Sequence, residues 1–257
     1  MGKIYTALGL MTGTSMDGVD VSIIKSNGIS HFTNVLEEFY QFSDDLQSRL
    51  FSLRDQILSK ADLIKFLDEI KELEREITIF HGDVVQDISS KYKENIDFIG
   101  FHGQTIFHDS KIKITKQLGD GKLLSQLTKK IVVYDFRQKD LQNGGQGAPL
   151  TPVFHNMLSN KIFDKDESEI ANIINIGGIT NITLTSNDND KSTKEIKAMD
   201  IGPGNCLIDQ WVRKNSDKKF DKDGLIGKSG KINELILNQA IENFAFSNYD
   251  KSLDIKD

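Results

Sequence analysis

Apolar residues follow two rhythms along this chain. Short apolar runs bounded by small and polar residues predict strands at Ile4 to Met11, Val19 to Ile24 and Phe32 to Phe42. The third run ends near Ser43-Asp44-Asp45, a helix-cap signal. The rhythm then changes. Leu63, Ile64, Leu67, Ile70, Leu73, Ile77, Phe80, Val84 and Ile88 recur at steps of three and four after the first pair. This spacing predicts one long helix with a single apolar stripe, packed on a sheet. Lys71, Glu72, Glu74, Arg75 and Glu76 fall mostly on its other faces. Further strands are predicted at Ile96 to Phe101, Ile131 to Tyr134, Ile170 to Ile176, Ile182 to Thr185 and Glu195 to Met199. Helices are predicted after Pro149, after Asn205 with Leu207, Ile208, Trp211 and Val212 on one face, and from Ile232 to Phe246. Ser186 to Lys194 reads as a polar loop, and Asn248 to Asp257 as a polar tail.

The polar stretches between strands carry the candidate chemistry. Gly9 to Asp20 reads GLMTGTSMDGVD, a glycine and hydroxyl loop between two strands. Glycines allow close backbone approach to a ligand, and the N–H groups and hydroxyls can cradle phosphate oxygens. Asp17 or Asp20 can hold a magnesium ion, directly or through water. Gly13 and Gly18 have Walker A spacing, but Val19 stands where that motif needs lysine, and a strand follows where it needs a helix. The loop instead looks like the first phosphate hairpin of actin, sugar kinases and Hsp70. The same plan returns about 160 residues later, where Asn175 to Asn181 reads NIGGITN between two strands. Two such hairpins suggest a duplicated fold whose halves face each other across a phosphate.

Three other places stand out. His102 and Gln104 follow a strand, where open α/β sheets bind ligands. His102 and His108 lack a third metal ligand nearby, so no metal site is assigned and hydrogen bonding is the expected role. Asp135 and Arg137 follow Tyr134 and precede the glycine loop Asn143 to Ala148; Arg137 there is either a bidentate anion clamp or a surface ion pair. Asp200 ends a strand beside Gly202-Pro203-Gly204 and a helix start, a position that suits a general base, with a helix-capping aspartate as the alternative.

Composition narrows the class. With 257 residues, 38% apolar and 27% charged, the chain has material for two modest domains or one large one, with a real core. A formal net charge of −6 argues against nucleic-acid binding. The single cysteine, Cys206, forms no intrachain disulfide and suits a reducing compartment, so a cytoplasmic location is expected. No apolar run approaches the ~20 residues of a membrane span, and no signal peptide is recognised before the first strand.

The strings GLMTGTSMDGVD, FHGQTIFH, DFRQKDLQNGGQGAPLTPVFH, NIGGITNIT and MDIGPGN together resemble the anhydro-N-acetylmuramic acid kinase family over nearly the whole chain. The resemblance implies an α/β, actin-like ATPase fold with two ribonuclease-H-like lobes, the second incomplete. The lobes are expected at 1–125 and 126–257. It also implies a reaction that uses ATP, Mg²⁺ and water to open the 1,6-anhydro ring and phosphorylate O6, within cell-wall recycling. By that resemblance Asp200 is the general base. The phosphate contacts are Gly13, Thr14, Ser15, Met16, Asp17, Gly18, Val19, Asp20, Gly177 and Gly178. The sugar contacts are His102, Gln104, Asp135 and Arg137, with Arg137 nearest the lactyl carboxylate. A homodimer is a further expectation of the family. Family members extend roughly another hundred residues, so this chain is expected to be weakly active alone. The rival readings are a sugar-binding remnant and a glycosidase-like hydrolase using Asp200 with a second carboxylate.

Overall fold

The computed structural model describes residues 2–166, 170–186 and 197–243. The chain opens with an antiparallel meander, β1 (Tyr5–Met11), β2 (Gly18–Ser26) and β3 (Phe32–Gln41). Helix α1 (Asp44–Gln56) follows, its first turn closed by Leu46 N–H donating to the Ser43 hydroxyl at 3.2 Å. Next come α2 (Lys60–Lys65) and α3 (Leu67–Lys91). Strand β4 (Phe98–Phe101) then returns parallel to β1. A separate hairpin of β5 (Gln104–Asp109) and β6 (Ile114–Leu118) leads into α4 (Gly121–Thr128). Strand β7 (Ile131–Tyr134) lies parallel to β4.

The first sheet therefore runs β3-β2-β1-β4-β7, antiparallel at one end and parallel at the other. That order and those directions are the ribonuclease-H-like arrangement. One face is closed by α1, α3 and α4. Leu8, Leu10, Val19, Val21, Ile23, Ile99 and Phe101 from the strands meet Leu50, Leu53, Leu73, Ile77, Ile88 and Leu124 from the helices, all nearly or fully buried. Each such side chain contributes roughly 1.5–3 kcal/mol by leaving water. The other face, with Tyr5, Met11, Phe39 and Val133, stays partly open.

After β7 come α5 (Phe136–Gln142) and α6 (Pro152–Asp166). A second, antiparallel sheet, ordered β10-β9-β8, is built from β8 (Ile170–Ile176), β9 (Ile179–Ser186) and β10 (Lys197–Pro203). Helix α6 covers one of its faces, where His155 Nδ1 lies 2.7 Å from the Thr183 hydroxyl. Helices α7 (Cys206–Asn215), α8 (Leu225–Ser229) and α9 (Glu234–Asn243) complete the described chain. A three-strand meander followed by a helix repeats the plan of β1-β2-β3-α1. The α/β architecture is thus a ribonuclease-H-like lobe and the opening of a second, as the actin-like ATPase fold requires.

Several sequence expectations change. The predicted long helix is two helices. The chain turns at Phe66 (φ −100°, ψ 22°), which packs on the core with Leu63 while Ile64 is left 72% exposed. Ile131 to Tyr134 joins the first sheet rather than starting a second. Arg137 stands in the first turn of α5, not in a loop. Pro152, not Pro149, opens α6. Asp200 lies inside β10, which continues to Pro203 through a bulge between Asp200 and Gly202. Leu207, Ile208 and Trp211 are exposed, and only Val212 of their predicted face is buried. Residues 187–194 of the polar loop, 195–196 of the predicted strand, 244–246 of the last helix and 248–257 of the tail lie outside the described residues.

Candidate active site

Two glycine hairpins meet here. The first, between β1 and β2, is a turn closed by Met16 N–H donating to the Gly13 carbonyl at 3.2 Å. Met16 takes a left-handed φ of 50°, and its side chain is fully buried. Val19 is equally buried. Both side chains therefore belong to the core, and what these two residues offer a ligand is their backbone. Gly13 is not at positive φ, and an added Cβ there would meet only the Ser15 hydroxyl at 3.7 Å. Gly18 has a packing reason instead, since a Cβ would come within 2.3 Å of the Tyr40 carbonyl. The loop is pinned from several sides. The Thr12 hydroxyl donates to the Gly103 carbonyl at 2.6 Å, Gln104 Nε2 to Gly13 O at 3.3 Å, and Gln47 Nε2 to Ser15 O at 3.3 Å. Arg54 reaches the Thr14 carbonyl at 3.4 Å.

The second hairpin, between β8 and β9, lies directly against the first. A Cβ on Gly178 would sit 3.0 Å from Thr14 Cβ. Behind it, the Gly177 and Gly178 carbonyls accept from the N–H groups of Asn205 and Gly204, at 2.8 and 2.9 Å. A Cβ on Gly204 would fall 2.0 Å from the Gly177 carbonyl oxygen, so only glycine lets α7 dock there.

His102, Arg137 and Asp200 converge beside these hairpins. His102 Nδ1 donates to the Gly103 carbonyl at 2.7 Å. Its Nε2 accepts from Arg137 Nε at 3.0 Å, and Arg137 also donates to the Gly147 carbonyl at 2.8 Å. Both imidazole nitrogens are thereby assigned, and the ring is neutral. Burial, then the neighbouring Arg137 charge, pushes the His102 pKa down to about 4. Burial also depresses Arg137, opposed by the charge of Asp200. Asp200 is 6% exposed. It lies close enough for its charge to act on Arg137, and a held carboxylate is the kind of group a general base needs.

The remaining candidates are distributed around this centre. Gln104 is buried, and its Oε1 has no hydrogen-bond partner among the described residues. Asp20 points to the other side of β2 and lines an open cleft of about 930 Å³ with Gly9, Gly100, His102, Phe136 and Phe154. Burial and the neighbouring Asp17 raise its pKa. The Asp17 carboxylate accepts from the Ser15 hydroxyl at 2.6 Å. Asp135 is exposed, in a left-handed conformation (φ 60°) at the start of α5. Among the described residues no group of three acidic, histidine or cysteine side chains is arranged to hold a metal.

The sequence did not reveal Gln47, Arg54 or Arg213. Arg54 and Arg213 stack on the same Phe51 ring, at 4.9 and 5.2 Å, and join α1 to α7 next to the first hairpin. Their separation in the chain left no local motif to find.

The family described as anhydro-N-acetylmuramic acid kinase matches residues 5–252. Proteins of that name from Pelagibacter ubique and Agrobacterium fabrum are 51% and 37% identical, over 100% of this chain and 68% of each relative. A third, from Rhizobium etli, is 35% identical over 99% of this chain and 68% of its own length. No described helix is long and apolar enough to cross a membrane. With the matched region spanning both hairpins, Arg137 and Asp200, the chain belongs to the anhydro-N-acetylmuramic acid kinase family.

Proposed function

We propose that this protein uses ATP and water to convert 1,6-anhydro-N-acetylmuramic acid to N-acetylmuramic acid 6-phosphate, in the cytoplasmic recycling of cell-wall peptidoglycan. The observation that carries this reading is the meeting of the two glycine hairpins, Gly178 against Thr14, beside a buried Asp200. Backbone N–H groups on facing loops suit a polyphosphate, and a buried carboxylate beside it suits activation of water. Residues up to about Tyr134 form one lobe in this reading, and those from β8 onward belong to the other.

ATP enters as a substrate with its Mg²⁺. The Gly13 to Gly18 loop and Gly177-Gly178 would lie along its phosphates. Asp17 and Asp20 are the carboxylates near enough to that loop to hold the ion through water. Bound Mg²⁺ would neutralise charge on the phosphoryl oxygens. Asp200 takes a proton from water as the water oxygen bonds to the anomeric carbon. The bond from that carbon to O6 breaks, and O6 accepts the γ-phosphoryl group. Arg137 places its charge towards Asp200, and neutral His102 holds Arg137 by its Nε2. The unpartnered Gln104 Oε1 suits a donor on the sugar, an N–H or hydroxyl. Asp135, at the start of α5, is the outermost sugar contact in this scheme.

The test is to incubate the protein with MgATP and the anhydro sugar and to separate the products. One ADP formed per 6-phosphosugar supports the reading. Ring opening that proceeds without ATP would instead make the protein a hydrolase.

A further inference from the structure

Asn181 stands directly opposite Asp200 in the β9–β10 pairing, and opposite Asn175 in the β8–β9 pairing. Opposed residues of antiparallel strands project from the same face, with Cβ atoms about 4.5–5.5 Å apart. The face can be identified. Two residues further along β9, Thr183 points the same way and is held by His155 of α6. Asn181 and Asp200 therefore share the covered face of the second sheet. The Oδ1 atom of Asn181 is fully buried there and meets no hydrogen-bond donor among the described residues. Buried acceptors are rarely left in this state unless something outside the chain satisfies them.

We propose that Asn181 is a catalytic residue whose Oδ1 orients the attacking water. This rests on the assignment of Asp200 as base. A water molecule has two hydrogens and must aim a lone pair at the anomeric carbon. One hydrogen goes to the Asp200 carboxylate and is transferred as the C–O bond forms. The second is held by Asn181 Oδ1 and stays on the new anomeric hydroxyl. The broken bond leaves its electron pair on O6, which takes the γ-phosphoryl group from ATP. Two acceptors on adjacent strands fix the water where one carboxylate alone would let it rotate. An amide suits the second position better than a carboxylate, because a second negative charge would raise the pKa of Asp200. Among the described residues, the charged or titratable groups nearest this pair are Arg137 of α5, whose charge and that of Asp200 interact, His102, which bonds Arg137, and His155 of α6, which bonds Thr183.

The experiment compares Asn181→Leu, Asn181→Asp and Asp200→Asn with the parent protein, using MgATP and the anhydro sugar. Misplacing the nucleophile should lower kcat of Asn181→Leu roughly 10²-fold, with the sugar KM and the melting temperature close to the parent's. Asn181→Asp restores an acceptor, so its kcat should recover at high pH, with the acid limb of the profile moved upward. Unchanged kcat in a folded Asn181→Leu overturns the proposal. So does a loss confined to the sugar KM, which would make Asn181 a sugar contact. Should Asn181→Leu fail to fold, Asn181→Asp decides alone, and equal loss at every pH in that folded variant is contrary. Asp200→Asn separates the two levels. If it retains the parent's kcat, the base assignment falls and takes the proposal with it. If it loses kcat while Asn181→Leu keeps it, only the role of Asn181 is wrong.

Discussion

Arg137 makes two hydrogen bonds in different directions, to His102 Nε2 and to the Gly147 carbonyl, and carries its charge towards Asp200. Lysine keeps the charge but not the planar fork. Arg137→Lys should therefore lose one or both contacts and lower kcat/KM about 10-fold or more, since a charge-assisted bond contributes roughly 1.5–3 kcal/mol. Arg137→Met removes the charge as well. A nearby cation lowers a carboxylate's pKa, so its loss raises that of Asp200. The acid limb of the kcat/KM profile should then move to higher pH, and a limb that stays in place would contradict the link. His102, Gln104, Arg137 and Asp200 were singled out in the sequence as polar side chains near strand ends, and the structure brings His102 to Arg137 and the Arg137 charge to Asp200. Arg137 was open to two readings until the structure showed its partners. Gln47, Arg54 and Asn181 were not singled out. The first two reach the hairpin by the packing of α1, and the third became distinctive only through its register with Asp200.

At the scale of elements, the glycines of the two hairpins divide by what surrounds them. A Cβ at Gly204 would strike a backbone oxygen at 2.0 Å, whereas one at Gly13 would make only ordinary contact at 3.7 Å. Gly204→Ala must displace the start of α7 or the Gly177 turn, a forced overpacking that typically costs about 1–3 kcal/mol. Its melting temperature should fall measurably. Gly13→Val should leave melting nearly unchanged and weaken ATP binding more than sugar binding, both read by calorimetry. Equal loss of both ligands would count against a phosphate role for the first hairpin. The strands around these turns were readable as apolar runs of four to eight residues. The shorter pieces were not. In α5 only Leu141 is buried, so its seven residues show no apolar stripe, and β5, β6 and α4 are short for the same test. The opposite error arose at Phe66, where an unbroken stripe concealed a turn between two helices.

For the whole molecule, the first lobe's core contains a titratable group. His81 is fully buried in α3 against Phe101, its Nδ1 donates to the Ile77 carbonyl at 2.7 Å, and its Nε2 has no partner among the described residues. Burial lowers its pKa to about 4. The unfolded chain, with an ordinary histidine pKa near 6.5, binds a proton that the folded chain refuses. Stability is unaffected by this group above about pH 7, falls as pH drops through 6.5, and levels off below about 4. The loss at pH 5 should be about 2 kcal/mol. Denaturant unfolding of the parent and of His81→Leu at pH 8 and pH 5 checks this. The variant should lose about 2 kcal/mol less than the parent on acidification, and equal losses would show that His81 is not the sensor. The duplicated plan of the molecule was visible in the sequence as two strand–glycine–strand units. Where the sheets divide was not, because β7 looks like any short apolar strand and only its pairing with β4 assigns it to the first lobe. The central claim is that both hairpins and Asp200 serve one ATP-dependent reaction. The most direct test measures ADP and 6-phosphosugar together for the parent and for Asp200→Asn. The account predicts equal amounts of the two products, with both rates falling roughly 10²–10⁴-fold in the folded variant, as loss of a positioned base implies. A variant that matches the parent, or a parent that opens the sugar ring without consuming ATP, would contradict it.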